Sequence, residues 1–458
     1  MRRQETSNHN SCIWAAPGLS RWFLVVALSF FCVAEARAQE ERAIGNFAGV
    51  GVRAMSMGGA FAGVADDFTA IYWNPAGLAQ MKNREVRVSF LRNSSETKST
   101  LDGTPGFSDL SNTRFGTLGF VYPYPVYQGS LVLAAGFTRV QDFDWNLNQK
   151  GVEQLSDGVL HTDHFFQHEG EQSLAAVAAA VDVSPAISLG VTLGLVSGED
   201  VWTSEFNWTD PQDDFPERRL FARDTFVDDY ERSLYAVLGV MIRSSPKDPR
   251  YRLGAAITTG TAQKVRYVFR GLEDETDYSR IEYDDGTVEE SSDETDRGSY
   301  ELSLPFEFGL GASAEPVPGM TLAGSLHIAE WSQSKSKAAN DTQSRANTSF
   351  KEQYRDVTRY HIGVEYQVPF VALDLRAGYY TDPIPFIGPR DLDAAYPPIR
   401  FTSDRSFITL GAGLLLDGVV QVDVAWITGA FTQLEEVDGV IVEEYDLNRL
   451  IFGVGYNF

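Results

Sequence analysis

The chain has 458 residues, of which 63 are acidic and 38 basic, so its formal net charge is 38 − 63 = −25. This acidity argues against nucleic acid as a partner, because binding to phosphates needs a basic surface. Apolar residues (43%) and aromatic residues (12%) exclude an intrinsically disordered chain. A mean hydropathy of −0.20 argues against a bundle of membrane-spanning helices.

The N-terminus has the pattern of a secretory signal peptide. Arg21 precedes an apolar run from residue 22 to residue 34, and Ala36-Arg37-Ala38 follows it. We predict a signal peptide over residues 1–38, with cleavage before Gln39. A membrane anchor is the alternative, but the apolar run is too short to span a bilayer.

Two features of this leader bear on the mature protein. Cys12 and Cys32 are the two cysteines of the chain, so the predicted mature protein has no disulfide and no thiolate metal site. The stretch before Arg21 is long for a signal peptide, which leaves open a start codon downstream of Met1.

The next segment, residues 39–84, is rich in Gly, Ala, Met and aromatic residues and shows no alternation. Asp66 or Asp67 is predicted to cap a short helical run. Asn74 is predicted to cap a second one, with Pro75 at its first helical position. We expect a compact, buried segment.

From residue 85 to residue 458 apolar residues recur at every second position, as in residues 302–312 and 408–416. A period of two predicts strands with one apolar face. The polar face is rich in Gly, Ser and Thr, which is typical of a barrel lumen. Fourteen strands are predicted, over residues 85–97, 113–123, 130–143, 170–183, 186–208, 220–243, 250–270, 295–314, 319–335, 350–368, 371–382, 400–416, 418–433 and 441–458.

The predicted connections alternate between short turns and long loops. Residues 184–185 and 315–318 are short and contain Pro, whereas residues 98–112 and 144–169 are long. This parity, with an even strand count, predicts an all-β fold: a transmembrane antiparallel β-barrel in the outer membrane of a Gram-negative-type bacterium. The barrel lumen is the nearest place to bury residues 39–84, so we expect that segment to plug it.

The last strand alternates up to Phe458, the final residue. A terminal Phe of this kind resembles the signal that the outer-membrane assembly machinery reads, so we expect that machinery as a partner. Outer-membrane lipid and lipopolysaccharide are the expected surroundings of the barrel, and we expect a monomer.

The stretch from Arg53 to Leu78 contains Met-Gly-Gly-Ala-Phe, Ala-Asp-Asp and Tyr-Trp-Asn-Pro-Ala-Gly-Leu. It resembles the N-terminal hatch of FadL-type outer-membrane transporters, whose barrels also have fourteen strands. The resemblance implies a hatch that gates the lumen, with the gate motif at Gly58, Gly59, Asp66, Asp67, Asn74, Pro75 and Ala76. It also implies apolar ligand contacts, for which the candidates are Met55, Met57, Phe61, Phe68, Tyr72, Trp73 and Leu78.

The function implied by this resemblance is passive uptake of hydrophobic molecules, such as long-chain fatty acids or aromatic hydrocarbons, with lateral release through the wall. A hydrophobic small molecule is therefore the expected partner. PorV-type barrels share a similar motif, so a component of a protein secretion system is the alternative. No cofactor, metal or catalytic residue is expected, because no nucleophile with a matching base is apparent.

Three groups of polar residues leave alternatives open. His161, His164 and His168 could bind a metal or lie in a solvated loop. The acidic loop 271–294 could bind divalent cations or be solvated. A third set of charges faces inward and could either join the hatch or face water: Glu307, Glu365, Asp374, Arg376 and Asp423.

Overall fold

The computed structural model describes residues 43–45, 47–101, 104–154, 158–245, 250–269, 278–291, 296–337, 347, 350–387, 399–401, 405–436 and 440–458. The predicted signal peptide lies outside the described residues. Within them, no helix has the length and apolar character needed to cross a membrane.

Strands dominate the described residues and form one antiparallel sheet. Their bounds are β1 Glu85–Leu101, β2 Thr104–Tyr124, β3 Leu131–Asp142, β4 Trp145–Gln154, β5 Val159–Ser184, β6 Ile187–Thr209, β7 Glu217–Arg243, β8 Tyr251–Thr258, β9 Ala262–Phe269, β10 Tyr278–Tyr283, β11 Val288–Ser291, β12 Asp296–Ser303, β13 Glu307–Val317, β14 Met320–Ala329, β15 Lys335–Lys337, β16 Val357–Gln367, β17 Leu373–Asp382, β18 Ile399–Phe401, β19 Arg405–Leu416, β20 Val420–Glu436 and β21 Val440–Asn457.

The sheet closes on itself because β1 pairs with β21, from Glu85 opposite Asn457 to Leu101 opposite Ile441. Five barrel strands consist of two segments each, namely β3 with β4, β8 with β9, β12 with β13, β14 with β15 and β18 with β19. The hairpin of β10 and β11 lies beside β7 and outside this count. The barrel therefore has fourteen strands, as predicted.

The period of two separates an apolar outer face from a mixed inner face. In β19, Ile408 and Leu410 are exposed, whereas Phe407 and Thr409 are buried. The same pattern recurs around the barrel, as at Leu118, Leu234 and Ile362. An apolar exterior of this kind matches a lipid environment.

Several predicted long loops are instead extensions of the strands. The predicted loop 98–112 is largely strand, since β1 reaches Leu101 and β2 starts at Thr104. The predicted loop 144–169 contains β4 and the start of β5. A hairpin that continues into water needs no apolar face, so the alternation disappears while the backbone ladder persists.

The N-terminal segment forms three short helical turns inside the barrel. These are α1 (Val52–Ser56), α2 (Ala70–Trp73) and a 3₁₀ turn over Pro75–Gln80. As predicted, the Asn74 side chain accepts a hydrogen bond from Ala76 N, and Pro75 occupies the first helical position. One further 3₁₀ turn, Trp331–Gln333, lies between β14 and β15.

Candidate functional site: the barrel lumen and its N-terminal segment

The N-terminal segment is hydrogen-bonded to the inner wall on many sides. Ser56 O accepts a hydrogen bond from the Thr409 hydroxyl at 3.1 Å. Gly63 O accepts one from Ser313 at 2.9 Å, and Ile71 O accepts one from Thr192 at 2.8 Å. These partners lie on β19, β13 and β6, which are far apart around the barrel. The segment is therefore held across the whole width of the lumen.

A belt of glycines lets the wall contact this segment directly. At each of ten positions an added Cβ would come within 3 Å of a segment atom. Several of these glycines face each other across neighbouring strands, such as Gly119 opposite Gly136 and Gly363 opposite Gly378. The belt consists of Gly119, Gly136, Gly190, Gly239, Gly254, Gly311, Gly363, Gly378, Gly411 and Gly453. At these positions no side chain of the wall lies between the wall and the segment.

Arg53 connects the segment to the wall by ion pairs. Its guanidinium binds both carboxylate oxygens of Glu365, each at 2.7 Å, and also contacts Asp66. Burial by itself would lower the pKa of Arg53, but the charges of Asp66 and Glu365 outweigh it and hold that pKa well above its usual value.

The network continues along the wall through Arg376. Its guanidinium donates to Glu365 at 2.6 Å, to Asp423 at 2.7 Å and to Asp374 at 3.2 Å. Of the inward charges left open by the sequence, these four therefore join the N-terminal segment through Arg53. Glu307, the fifth, lies at a separate place beside the second cavity described below.

Of the predicted gate motif, Asp66 is half-buried and the other six residues are buried. Gly58 and Gly59 have φ of 65° and 72°, which favours glycine, and Gly58 O bonds to His361 Nδ1 at 2.7 Å. Asn74 Nδ2 donates to Ala62 O at 3.0 Å and to Val240 O at 3.1 Å. Asn74 thus connects two parts of the segment to β7.

Asp67 is buried, and one of its two carboxylate oxygens accepts hydrogen bonds. Its Oδ1 accepts from Thr69 N at 2.8 Å and from Thr69 Oγ1 at 2.6 Å, whereas Oδ2 has no hydrogen-bond partner. Burial raises the pKa of Asp67, against the opposing charge of Arg87. The ionised form of Asp67 is therefore unfavourable at this buried position.

Two cavities lie in the lumen beside the start of the segment, and both include Gly45 and Phe47 in their lining. The first measures about 180 Å³ and the second about 100 Å³. Aromatic rings are prominent in both. The first contains Trp145, Tyr380, Phe407, Phe431 and Tyr445, and the second contains Tyr72, Trp73, Tyr235, Phe308 and Trp331.

Phe47 is the ring shared by the two cavities. It lies edge-on to Trp73 and Tyr380, with ring centroids 5.9 and 6.4 Å apart, and stacks on Tyr72 at 6.5 Å. Tyr380 stacks in turn on Phe407 at 4.8 Å. A continuous aromatic surface therefore runs from one cavity to the other.

The seven predicted ligand contacts divide into two groups. Tyr72 and Trp73 line the second cavity. The others are fully buried in packing contacts and line neither cavity, namely Met55, Met57, Phe61, Phe68 and Leu78. Phe68 packs against Gly119 and Gly136, and Met57 packs against Gly363.

The barrel wall has a break beside the first cavity. The ladder between β2 and β3 runs from Tyr124 opposite Leu131 to Thr117 opposite Thr138, and no pair continues it in the described residues. Beyond it, β4 stays paired with β5. Arg114 crosses the break and donates two hydrogen bonds to Asp144, both of 2.8 Å.

The histidine group does not gather at one point. His161 is exposed, His164 is fully buried between Phe206 and Trp208, and His168 pairs with Asp200 at 3.2 Å. Of the acidic loop, residues 278–291 are described and form a hairpin. A group of three potential metal ligands occurs nowhere in the described ranges.

Sequence reasoning missed most residues that line the cavities, including Phe47, Tyr380, Arg359 and Asp382. Phe47 lies in the predicted hatch, outside the stretch that carries the resemblance. The other three lie on inward positions near strand ends, where the alternation separates inside from outside but does not tell which inward residues border a cavity.

Comparisons with known proteins show which family this chain resembles. Residues 254–449 match the family model described as "Outer membrane protein transport protein (OMPP1/FadL/TodX)". The match confirms the predicted resemblance to the FadL-type family over this part of the chain. The closed antiparallel barrel agrees with it.

Solved structures share this FadL-type fold at low identity. The P. putida toluene transporter TodX matches with a TM-score of 0.60 and 13% identity, over 90% of this chain and 99% of that chain. A Pseudomonas aeruginosa FadL homologue matches with a TM-score of 0.56 and 14% identity, over 90% of this chain and 99% of that chain. The Ralstonia pickettii toluene transporter TbuX matches with a TM-score of 0.51 and 14% identity, over the same shares of the two chains. A search of curated proteins gave no match.

Proposed function

We propose that this FadL-type barrel is a passive outer-membrane channel for the uptake of hydrophobic small molecules. The observation that carries the proposal is the position of the first cavity. Leu110, Asp144 and Trp145 line that cavity, and the same stretch of chain borders the break in the wall. A hydrophobic ligand there has a short route into the membrane. TodX and TbuX, which share the fold, are named as toluene transporters.

The proposed exit is lateral, through the break between β2 and β4. The glycine belt supports this route, because segment and wall are in direct contact there. A straight path to the periplasm would require the whole segment to leave its hydrogen bonds. By contrast, the hydrogen bonds described across the break all involve side chains, among them those of Asp144 with Arg114 and Asn112 and that of Asn146 with Asp109 O. The Arg114 side chain is already 35% exposed.

We propose that residues 39–84 act as the hatch of the barrel 85–458, after export through the signal peptide at 1–38. The gate would be the turn over residues 74–77, since Asn74 connects the segment to β7. Deleting residues 74–77 is expected to change ligand passage while leaving a folded, heat-modifiable barrel. Unaltered passage in such a barrel would contradict the gating role.

Uptake by cells tests the function as a whole. A deletion strain is expected to take up less labelled toluene or labelled oleate than the parent strain, and a plasmid copy is expected to restore uptake. The strain should keep its uptake of small hydrophilic solutes, which use other pores. Undiminished uptake of both probes would contradict the proposal and would favour the secretion alternative.

A further inference from the structure

The charged residues that line the two cavities are already paired with one another. Asp382 is buried and lies between two arginines: Arg359 Nε donates to its Oδ1 at 2.8 Å, and Arg405 Nη2 contacts its Oδ2 at 2.8 Å. Arg405 also donates to Gly45 O at 3.0 Å. Arg359 in addition lies over the ring of Phe47, at 5.8 Å.

Arg449, the third arginine of the lining, is likewise engaged. It donates to Asn93 Oδ1 at 2.6 Å, to Asp142 Oδ2 at 3.2 Å and to the carbonyl oxygens of Phe47 and Ala48. Among the described lining residues the carboxylates are Asp142, Asp144, Asp382 and Glu307, against three arginines. The ionised lining therefore has a net charge of 2 − 3 = −1 in the first cavity and of 1 − 1 = 0 in the second.

We propose that this arrangement is a charge filter, in which Asp382 occupies the arginines that would otherwise bind an anion, so that the cavities accept uncharged aromatic molecules and reject carboxylates. The inference rests on the proposed uptake function and specifies its ligand class. A ligand carboxylate in the first cavity would meet three carboxylates of the same sign, and its own desolvation would go uncompensated.

The size and lining of the cavities agree with compact uncharged ligands. An enclosed apolar cavity of ~150 Å³ is sufficient for benzene in another protein. The first cavity measures about 180 Å³, so one substituted ring fits there. The rings of Phe47, Tyr380 and Phe407 offer both faces and edges to such a ligand.

Benzyl alcohol and benzoate test the filter, because they differ mainly in charge and both dissolve in water. Binding is measured by calorimetry at pH 8 on the full chain held in amphipol. The wild type is expected to bind benzyl alcohol and to bind benzoate at least about tenfold more weakly. Asp382→Asn is expected to strengthen benzoate binding by about tenfold, because Arg359 and Arg405 lose their shared counter-charge.

Two further variants keep the test decisive if Asp382→Asn folds poorly. Glu307→Gln removes a lining charge that makes no ion pair in the described residues, and it should also strengthen benzoate binding. Asp356→Asn is the matched control: Asp356 is exposed, bonds to Ser332 and lies outside both cavities. It should bind both probes as the wild type does.

The possible failures are distinguishable. If the wild type binds benzoate as tightly as benzyl alcohol, the charge filter is wrong while the uptake function stands. The filter is equally wrong if neither Asp382→Asn nor Glu307→Gln gains affinity for benzoate. A folded wild type that binds neither probe would contradict the proposed ligand site itself.

Discussion

At the residue scale, Arg53 holds the N-terminal segment to the wall. Its side chain and that of Glu365 are 18% and 12% exposed, so their charges are largely removed from water. Replacing Arg53 by Met would leave the carboxylates of Asp66 and Glu365 without their partner, and breaking a buried pair costs about 3–5 kcal/mol. We expect Arg53→Met to lower the temperature at which the folded band is lost on a heat-modifiability gel.

Arg266 provides the control for this substitution. It pairs with Asp229 on an exposed part of the barrel, where its side chain is 57% exposed. Arg266→Met removes the same kind of charge and should leave the transition unchanged, since exposed pairs contribute little. Equal shifts for the two variants would show that Arg53 has no special role in docking the segment.

Asp67 should make stability depend on pH. Burial raises its pKa above the value of about 3.9 for an unfolded chain, while Arg87 and Arg53 oppose this shift and Glu85 adds to it. Protonated Asp67 stabilises the fold fully at a pH below the pKa of Asp67 in the unfolded chain. This stabilisation is lost as the pH rises through the pKa of Asp67 in the folded protein.

Asp67→Asn removes this titration while keeping an oxygen for Thr69. The variant should therefore gain stability relative to the wild type as the pH rises from 4 to 8. Unfolding temperatures of both proteins across this range measure the difference. A difference that stays constant with pH would show that Asp67 does not titrate in this way.

At the element scale, the glycine belt explains why the strands accept a plug without gaps. A Cβ at Gly378 would lie 2.3 Å from Gly58 N, which is backbone and cannot rotate away. Overpacking of this kind typically costs about 1–3 kcal/mol. We expect Gly378→Ala to displace the segment locally and to expose residues 53–80 to added protease.

Gly324→Ala is the control at this scale. Gly324 is also a strand glycine, but its nearest neighbour, His361 O, would be 3.7 Å from the new Cβ, an ordinary contact. The variant should resist protease like the wild type. Cleavage within the segment in both variants, or in neither, would argue that the belt does not hold the segment in place.

The elements also show how far the sequence alone could lead. The alternation of apolar residues predicts the fourteen strands, and Asn74 followed by Pro75 predicts a helix cap. Both are confirmed, because both depend on residues close together in the sequence. Only the end of the β1–β2 hairpin, residues 98–112, was predicted as a loop, since a strand in water has no apolar face. The cavities could not be predicted, because Phe47, Tyr380 and Arg359 meet only when the barrel closes.

At the scale of the whole molecule, the break in the wall and the plugged lumen are complementary. A barrel whose ladder closed completely would trap a ligand above the glycine belt. In this barrel, the ladder between β2 and β3 ends at Thr117 opposite Thr138, and Arg114 and Asp144 bridge the gap that follows. Each hydrogen bond described across the gap has a side chain on at least one end, as between Asn112 and Asp144, so these bonds separate at lower cost than a backbone ladder.

Sealing the break should therefore stop uptake. The predicted mature chain has no cysteine, so Arg114→Cys with Asp144→Cys places two thiols across the break and nowhere else. Before cross-linking, this double variant should take up labelled toluene at least as fast as the wild type, because the ion pair across the break is gone. After treatment with a short bis-maleimide, uptake should fall to the level of the deletion strain.

Thr117→Cys with Thr138→Cys is the matched control for sealing. These residues face each other in the intact part of the ladder, with their hydroxyl oxygens 3.0 Å apart, so joining them leaves the break as it was. Oxidation of this pair should leave uptake unchanged. If the sealed break also leaves uptake unchanged, the ligand leaves by another route, and the straight path past the N-terminal segment becomes the one to test with Gly378→Ala.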